Sequence, residues 1–146
     1  MALEILLPET IHFQTELKTR FSDSRSALVA SGIVVSHVTY ENIALIINEV
    51  FDLFLENLGY SKANIANSNI IVPSFEITYH AELKANESIQ AQVSVTDIGN
   101  KSFSLIIILR KQNGDIAVRS RIGLIFFNYK LQKTEPVPEE FKRRFS

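Results

Sequence analysis

With 146 residues, 46% of them hydrophobic and 21% charged, the chain is long enough to bury a real core and reads as one globular domain over 1–146. Its 15 basic and 16 acidic residues give a net charge of -1, which excludes a bulk electrostatic attraction to nucleic acid or an anionic membrane and points to small molecules or protein partners. No cysteine is present, so disulfides, a thiolate nucleophile and thiolate metal ligands are excluded, and a cytoplasmic location is expected.

In chain order, Met1 to Glu9 lacks the basic flank and apolar core of a leader, and no run reaches the roughly 18 apolar residues that span a bilayer, so a soluble protein with no membrane partner is expected. Ile11 to Phe21 alternates around Phe13, Thr15, Leu17, Thr19 and Phe21 and reads as a first strand. Ser22 to Ser36 opens like a turn, after which Ala27 to Val35 suits either a short strand or a packed loop. From His37 to Gly59 the period becomes 3.6. Ile43, Ile46, Ile47, Val50, Phe51, Leu53, Phe54, Leu55 and Leu58 fall on a broad apolar face, and Glu41, Asn48, Glu49, Asp52 and Glu56 fall opposite. Thr39 is the expected N-cap, and Gly59 with Tyr60 behind it the expected Schellman ending.

Ser61 to Asn69 is a polar connection pinned by Ile65, and beyond it the period changes to 2. Phe75, Ile77 and Tyr79 alternate with polar residues, as do Ile89, Ala91, Val93 and Val95. Ser102 to Arg110 is apolar on both sides and is the expected central strand; Ile116 to Tyr129 closes the set. Asn113-Gly114 suggests a type I′ hairpin, and Gly99-Asn100 marks the preceding turn. Glu139 to Phe145, after Pro136 and Pro138, reads as a short helix.

One strand, one long helix and a four-strand antiparallel meander is the element order of the α+β hot-dog fold, a curved sheet around one central helix. The chain resembles the acyl-CoA thioesterases of the 4-hydroxybenzoyl-CoA thioesterase type. His37-Val38 resembles the His-Val of that family's Asp-x-x-Gly-His-Val-Asn-Asn segment, and the spacing on to Glu49 and to Leu58-Gly59 agrees with its helix. Ser74-Phe75-Glu76-Ile77-Thr78-Tyr79 resembles its second strand and Gly114-Asp115-Ile116-Ala117 the hairpin into its last. Four residues before His37, where the family carries its catalytic aspartate, this chain has Ile33; Ser36 replaces the glycine, and Thr39 and Tyr40 the paired asparagines. A second registration, through Arg20-Phe21-Ser22-Asp23-Ser24, brings Asp23 to the neighbourhood of the site at the cost of an insertion of about ten residues. The two registrations exclude each other.

The resemblance implies hydrolysis of an acyl thioester of CoA or of a carrier protein, with no cofactor beyond the CoA of the substrate. Such chemistry needs a carboxylate, for which Glu49 and Asp23 are the candidates, and oxyanion donors such as the N-H groups that open the helix. His37 is expected to assist. Thr39, Tyr40 and Asn42 are candidate substrate-binding residues, and Lys101, Arg119 and Arg121 candidate partners for the nucleotide phosphates. His12 and His80 lack a partner at ligand spacing, so no metal is expected. Phe51, Phe54, Phe75 and Tyr79 are candidates to line an acyl pocket. Two other readings stand beside the thioesterase: a catalytically silent binder of acyl thioesters, and a hot-dog dehydratase or tailoring enzyme for carrier-bound chains. A homodimer or tetramer is expected, with Ser88 to Asp97 pairing with its own copy across a two-fold axis and the site at the subunit interface.

Overall fold

The computed structural model describes residues 4–146. Strand β1 (Phe13–Lys18) runs into a 3-10 turn at Phe21–Asp23 and then β2 (Ser24–Leu28) and β3 (Val34–Val38). Helix α1 (Tyr40–Asn57) follows, then β4 (Asn69–Tyr79), β5 (Ser88–Thr96), β6 (Ser102–Lys111), β7 (Ile116–Asn128), the short β8 (Lys133–Thr134) and α2 (Glu139–Phe145). The main sheet is antiparallel in the order β1-β5-β6-β7-β4, with β8 beside β7, while β2 and β3 pair only with each other. A curled sheet around a long helix is the hot-dog architecture.

Local chemistry sets both ends of α1. The Thr39 hydroxyl accepts from the Asn42 N-H at 3.3 Å, capping the first turn. At the other end Tyr60 N-H donates to Leu55 O at 2.8 Å and Gly59 N-H to Glu56 O at 2.9 Å. This is a Schellman closure, which Gly59 permits by adopting a φ of 81°. Between these ends Ile43, Ile47, Val50, Phe51, Phe54 and Leu55 are buried against Ala91, Val93, Leu105, Ile107 and Val118 of the sheet's inner face. Each such side chain is worth about 1.5 to 3 kcal/mol of burial.

Strand β6 lies at the middle of the sheet and is buried on both faces. Phe103, Leu105, Ile107 and Leu109 face the helix; Ile106 and Ile108 face outward and are covered by Ile5. The N-terminal segment is held across this outer face by Arg119, which donates to Ile5 O at 2.8 Å and pairs with Glu4 at 3.3 Å. At the C-terminal end of α1, helix α2 inserts Phe141 between Phe103 and Phe126, and Phe145 rests on Phe54. Arg144 donates to Leu58 O at 2.8 Å.

Three sequence expectations are corrected. Strand β5 is not an edge, because β1 bonds one side of it and β6 the other; alternation reports which face of a strand is buried, not which neighbours it has. The last four strands are not a plain meander, since β4 crosses the sheet to pair with β7, leaving β1 and β4 as the edges. The β6-β7 hairpin is not type I′. Only Gly114 is left-handed, at φ 93°, and its N-H donates to Lys111 O at 2.9 Å, the turn-plus-glycine form of a longer loop.

Candidate active site at the N-terminal end of the helix

The chain leaves β1 at Lys18, turns through Asp23, makes the β2-β3 excursion and returns at Thr39 to start α1. Asp23 holds this junction. It is 2% exposed, and its carboxylate accepts from Arg20 N-H at 2.8 Å and from the Arg20 guanidinium at 2.9 Å. Its backbone oxygen accepts from Thr39 N-H at 3.2 Å and from the Asn42 side-chain amide at 3.1 Å. Burial pushes the Asp23 carboxyl up, but the Arg20 hydrogen bonds and charge outweigh it and hold the group below the ordinary carboxylate value. Arg20 itself is raised, by the Asp23 hydrogen bond and charge and to a lesser degree by Glu49.

A cavity of about 530 Å³ opens beside this junction. Leu17, Leu45, Ile46 and Ile89 form its apolar wall, and Arg20, Asp23, Asn48 and Glu49 its polar one. The fold therefore brings the two candidate carboxylates together. They are not equivalent. Asp23 is enclosed and fully engaged with Arg20, whereas Glu49 is exposed, with a carboxylate open to water or substrate.

His37 lies elsewhere. With Tyr40, Ile43, Tyr79, His80 and Glu82 it lines a second cavity of about 570 Å³, on the side of the helix start that faces the end of β4. Its Nδ1 is 3.0 Å from Val38 O; donating there leaves Nε2 with the lone pair. The Tyr79 hydroxyl reaches toward Tyr40 O at 3.5 Å, and burial, then Tyr40, raise its pKa, keeping it a neutral donor. Within one chain, Glu49 and His37 line different cavities.

Thr39 and Asn42 are occupied in shaping the junction, the Thr39 hydroxyl accepting from the Asn42 amide at 2.9 Å as well as from its N-H. The three expected phosphate partners lie in neither cavity. Arg119 holds the N-terminal segment, Arg121 pairs with Asp97 at 2.6 Å, and Lys101 donates to Thr134 at 3.1 Å. Phe51 and Phe54 are core, and Phe75 is half-exposed on β4; of the four aromatic residues expected at a pocket, Tyr79 alone lines one of these two. Arg20 is the residue that sequence reasoning passed over. Its signal was its place three residues before Asp23 at a strand end, the spacing at which a carboxylate reaches back to a preceding N-H. Among the described residues no group of three or more His, Asp or Glu side chains is arranged to hold a metal ion.

A family model described as the thioesterase-like superfamily matches residues 32–145. The chain belongs to that superfamily. No curated protein is significantly similar to it in sequence. Among solved structures it is similar to the Staphylococcus aureus protein SAV2348 in complex with CoA, with a TM-score of 0.76 and 17% identity over 97% of this chain and 85% of that one. It is also similar to the 1,4-dihydroxy-2-naphthoyl-CoA thioesterase Slr0204 from Synechocystis, TM-score 0.73 and 13% identity, covering 89% and 92% of the two chains. The gentisyl-coenzyme A thioesterase BH1999 gives a TM-score of 0.69 and 20% identity, over 89% of this chain and 99% of that one. Identities this low speak for the shared fold alone.

For a thioesterase-like chain, the path of the backbone bears on where an acidic residue can stand. Ile33, at the position the gap-free registration gives to the family's aspartate, sits near the tip of the β2-β3 hairpin and lines neither cavity. Asp23 stands at the point where that hairpin leaves the body, bonded to the first residue after its return. The hairpin is thus a local excursion between the end of β1 and the start of α1.

Proposed function

We propose that this member of the thioesterase-like superfamily hydrolyses an acyl thioester, of CoA or of a carrier protein, to the free acid and the thiol. The observation that carries the reading is the cavity between the end of β1 and the second and third turns of α1, which an open carboxylate, Glu49, lines together with Arg20 and an apolar wall. Glu49 takes the proton from an attacking water, the water oxygen bonds to the thioester carbonyl carbon, and the C-S bond breaks as the proton passes to the departing thiolate. Oxyanion donors from the first turn of α1 reach this carbonyl only from a partner copy, because within one chain that turn borders the second cavity. Asp23, held by Arg20, positions the junction. His37 joins this set only across a subunit boundary, since in one chain it lines the neighbouring cavity. Thr39 and Asn42 act through the junction they shape, and Tyr40 lies at the mouth of the second cavity.

The reading is supported by the family and by fold relatives named as CoA thioesterases for the aromatic acyl groups gentisyl and 1,4-dihydroxy-2-naphthoyl. It requires no group besides water and the substrate's own CoA or pantetheine. Incubation with a panel of aliphatic and aromatic acyl-CoA esters, read by release of free thiol, tests it. Release from at least one ester above the rate without protein is expected. Binding of esters with no thiol release would establish the silent-binder reading in its place.

A further inference from the structure

Hydrolysis in the Glu49 cavity needs a donor for the carbonyl oxygen as negative charge gathers on it, and the helix start of the same chain borders the other cavity. The side chains of the Glu49 cavity that carry donor hydrogens are Lys18, Thr19, Arg20 and Asn48. Thr19 is buried, and its hydroxyl donates to Lys84 O. Asn48 is uncharged, and its side-chain oxygen accepts from Lys62. Lys18 is exposed, a point charge on a flexible stem that no ion pair fixes among the described residues.

Arg20 differs because one edge of its guanidinium is anchored. The buried Asp23 carboxylate accepts from Nη2 at 2.9 Å and from Nε at 3.4 Å, besides the Arg20 backbone N-H at 2.8 Å. A guanidinium holds its N-H groups in one plane, and this side-on contact leaves the end-on edge, Nη1 with the second N-H of Nη2, without a partner among the described residues. That edge is accessible, since the side chain is 72% exposed. Asp23 thus fixes the plane of the donor before any substrate arrives, and donors that need no reorganisation stabilise developing charge best. The pairing also keeps Arg20 charged. Asp23, and to a lesser degree Glu49, raise its pKa, so it holds its protons throughout.

We infer that Arg20 is the in-chain oxyanion donor of this site and Asp23 its positioning residue, an assignment that rests on the proposed hydrolysis. As the water oxygen bonds to the thioester carbon and its proton passes to Glu49, the carbonyl π electrons move onto the oxygen, where the end-on N-H groups of Arg20 meet them. The C=O bond then re-forms and the C-S bond breaks, the departing thiolate taking the proton from Glu49. Arg20 gains and loses none. The apolar wall of Leu17, Leu45, Ile46 and Ile89 limits the water that competes for the same donors.

Arg20→Lys tests the assignment, because an ammonium can still pair with Asp23 but cannot present a planar fork to a second acceptor. Its Tm is expected to stay close to that of the unmodified protein, while kcat on the best acyl-CoA ester falls about a hundredfold and KM stays within about threefold. Undiminished kcat in a folded Arg20→Lys would overturn this inference alone and leave the hydrolysis standing. No thiol release by the unmodified protein from any ester would overturn both. If the variant fails to fold, the unmodified protein decides the matter through phenylglyoxal modification of Arg20, mapped by peptide mass. The trifluoromethyl ketone analogue of the same acyl-CoA, which takes up water to form a tetrahedral adduct, is expected to suppress that modification, and CoA alone is expected to leave it unchanged. Equal protection by CoA alone would assign the guanidinium to the nucleotide phosphates, and no protection by the ketone would remove it from the site; either result would overturn the inference.

Discussion

The two ends of helix α1 are built on opposite plans. At the C-terminal end the helix is closed by bonding and packing: Gly59 and Tyr60 satisfy carbonyls of the last turn, Arg144 takes Leu58 O, and Phe141 and Phe145 fill the space beneath, leaving beside Gly59 and Tyr60 a polar recess of about 460 Å³ with no apolar wall of core residues. At the N-terminal end the junction is tightly bonded through Asp23, but around it lie two open cavities, one of them running along the helix to the exposed Glu49, and a hairpin with bare apolar faces. Stability is concentrated where aromatic side chains fill the end of the helix, and chemistry is available where cavities with apolar walls stand open.

Substitutions at the two ends should separate along that line. The largest loss is expected from Phe141→Ala, which empties a fully buried site among Phe103, Phe126 and Phe145 and should cost about 3 to 5 kcal/mol. Urea unfolding measures it, and turnover per folded molecule should be unchanged. Asp23→Asn comes next. Loss of hydrogen bonds to a buried charge should cost about 1.5 to 3 kcal/mol at neutral pH. Because the folded carboxyl is held below its ordinary value, its contribution is complete above the usual carboxylate range and is lost as pH falls through the lowered value. The variant should therefore lose stability at neutral pH and show a flatter acid limb in unfolding between pH 7 and 3. Glu87 also contributes to that limb, since burial of its carboxyl is outweighed by the Lys84 N-H and Lys111.

Thr39→Ala removes the N-cap and one acceptor of the Asn42 amide, and about 1 kcal/mol should be lost, visible as a lower Tm. The smallest effect belongs to Tyr60→Phe. Its hydroxyl bonds Glu140 at 2.6 Å on the exposed surface, so a change within about 0.5 kcal/mol is expected in the same melt. A Tyr60 effect rivalling that of Phe141 would break the comparison by showing that surface bonds, not packing, seal that end.

What the sequence revealed follows the same division. The helix, its caps, the two-sided strand β6 and the terminal helix were legible because periodicity, cap chemistry and apolar runs act over a few neighbouring residues. Strand β5 was misplaced as an edge because alternation carries no record of neighbours, and β4 crosses the sheet through contacts remote in sequence. Ala27 to Val35 stayed ambiguous for a related reason. Among the described residues, Leu28, Val29 and Ile33 to Val35 are exposed, so no buried face imposes a period on them. At the site, Glu49 was identifiable by its spacing from His37 and Asp23 by its place after the first strand, but their shared cavity and the Arg20 pairing arise only when the end of β1 is laid beside the second and third turns of α1.

The central claim is that the open carboxylate of Glu49, midway along α1, performs the hydrolysis. Its most direct test is steady-state turnover of Glu49→Gln on the best acyl-CoA substrate, with the melting temperature recorded on the same preparation. The side chain is exposed, so the fold should be retained with an unchanged Tm, while kcat falls by about two orders of magnitude or more. Wild-type turnover in Glu49→Gln, accompanied by a collapse of turnover in Asp23→Asn at undiminished stability, would contradict the claim and transfer the chemistry to Asp23.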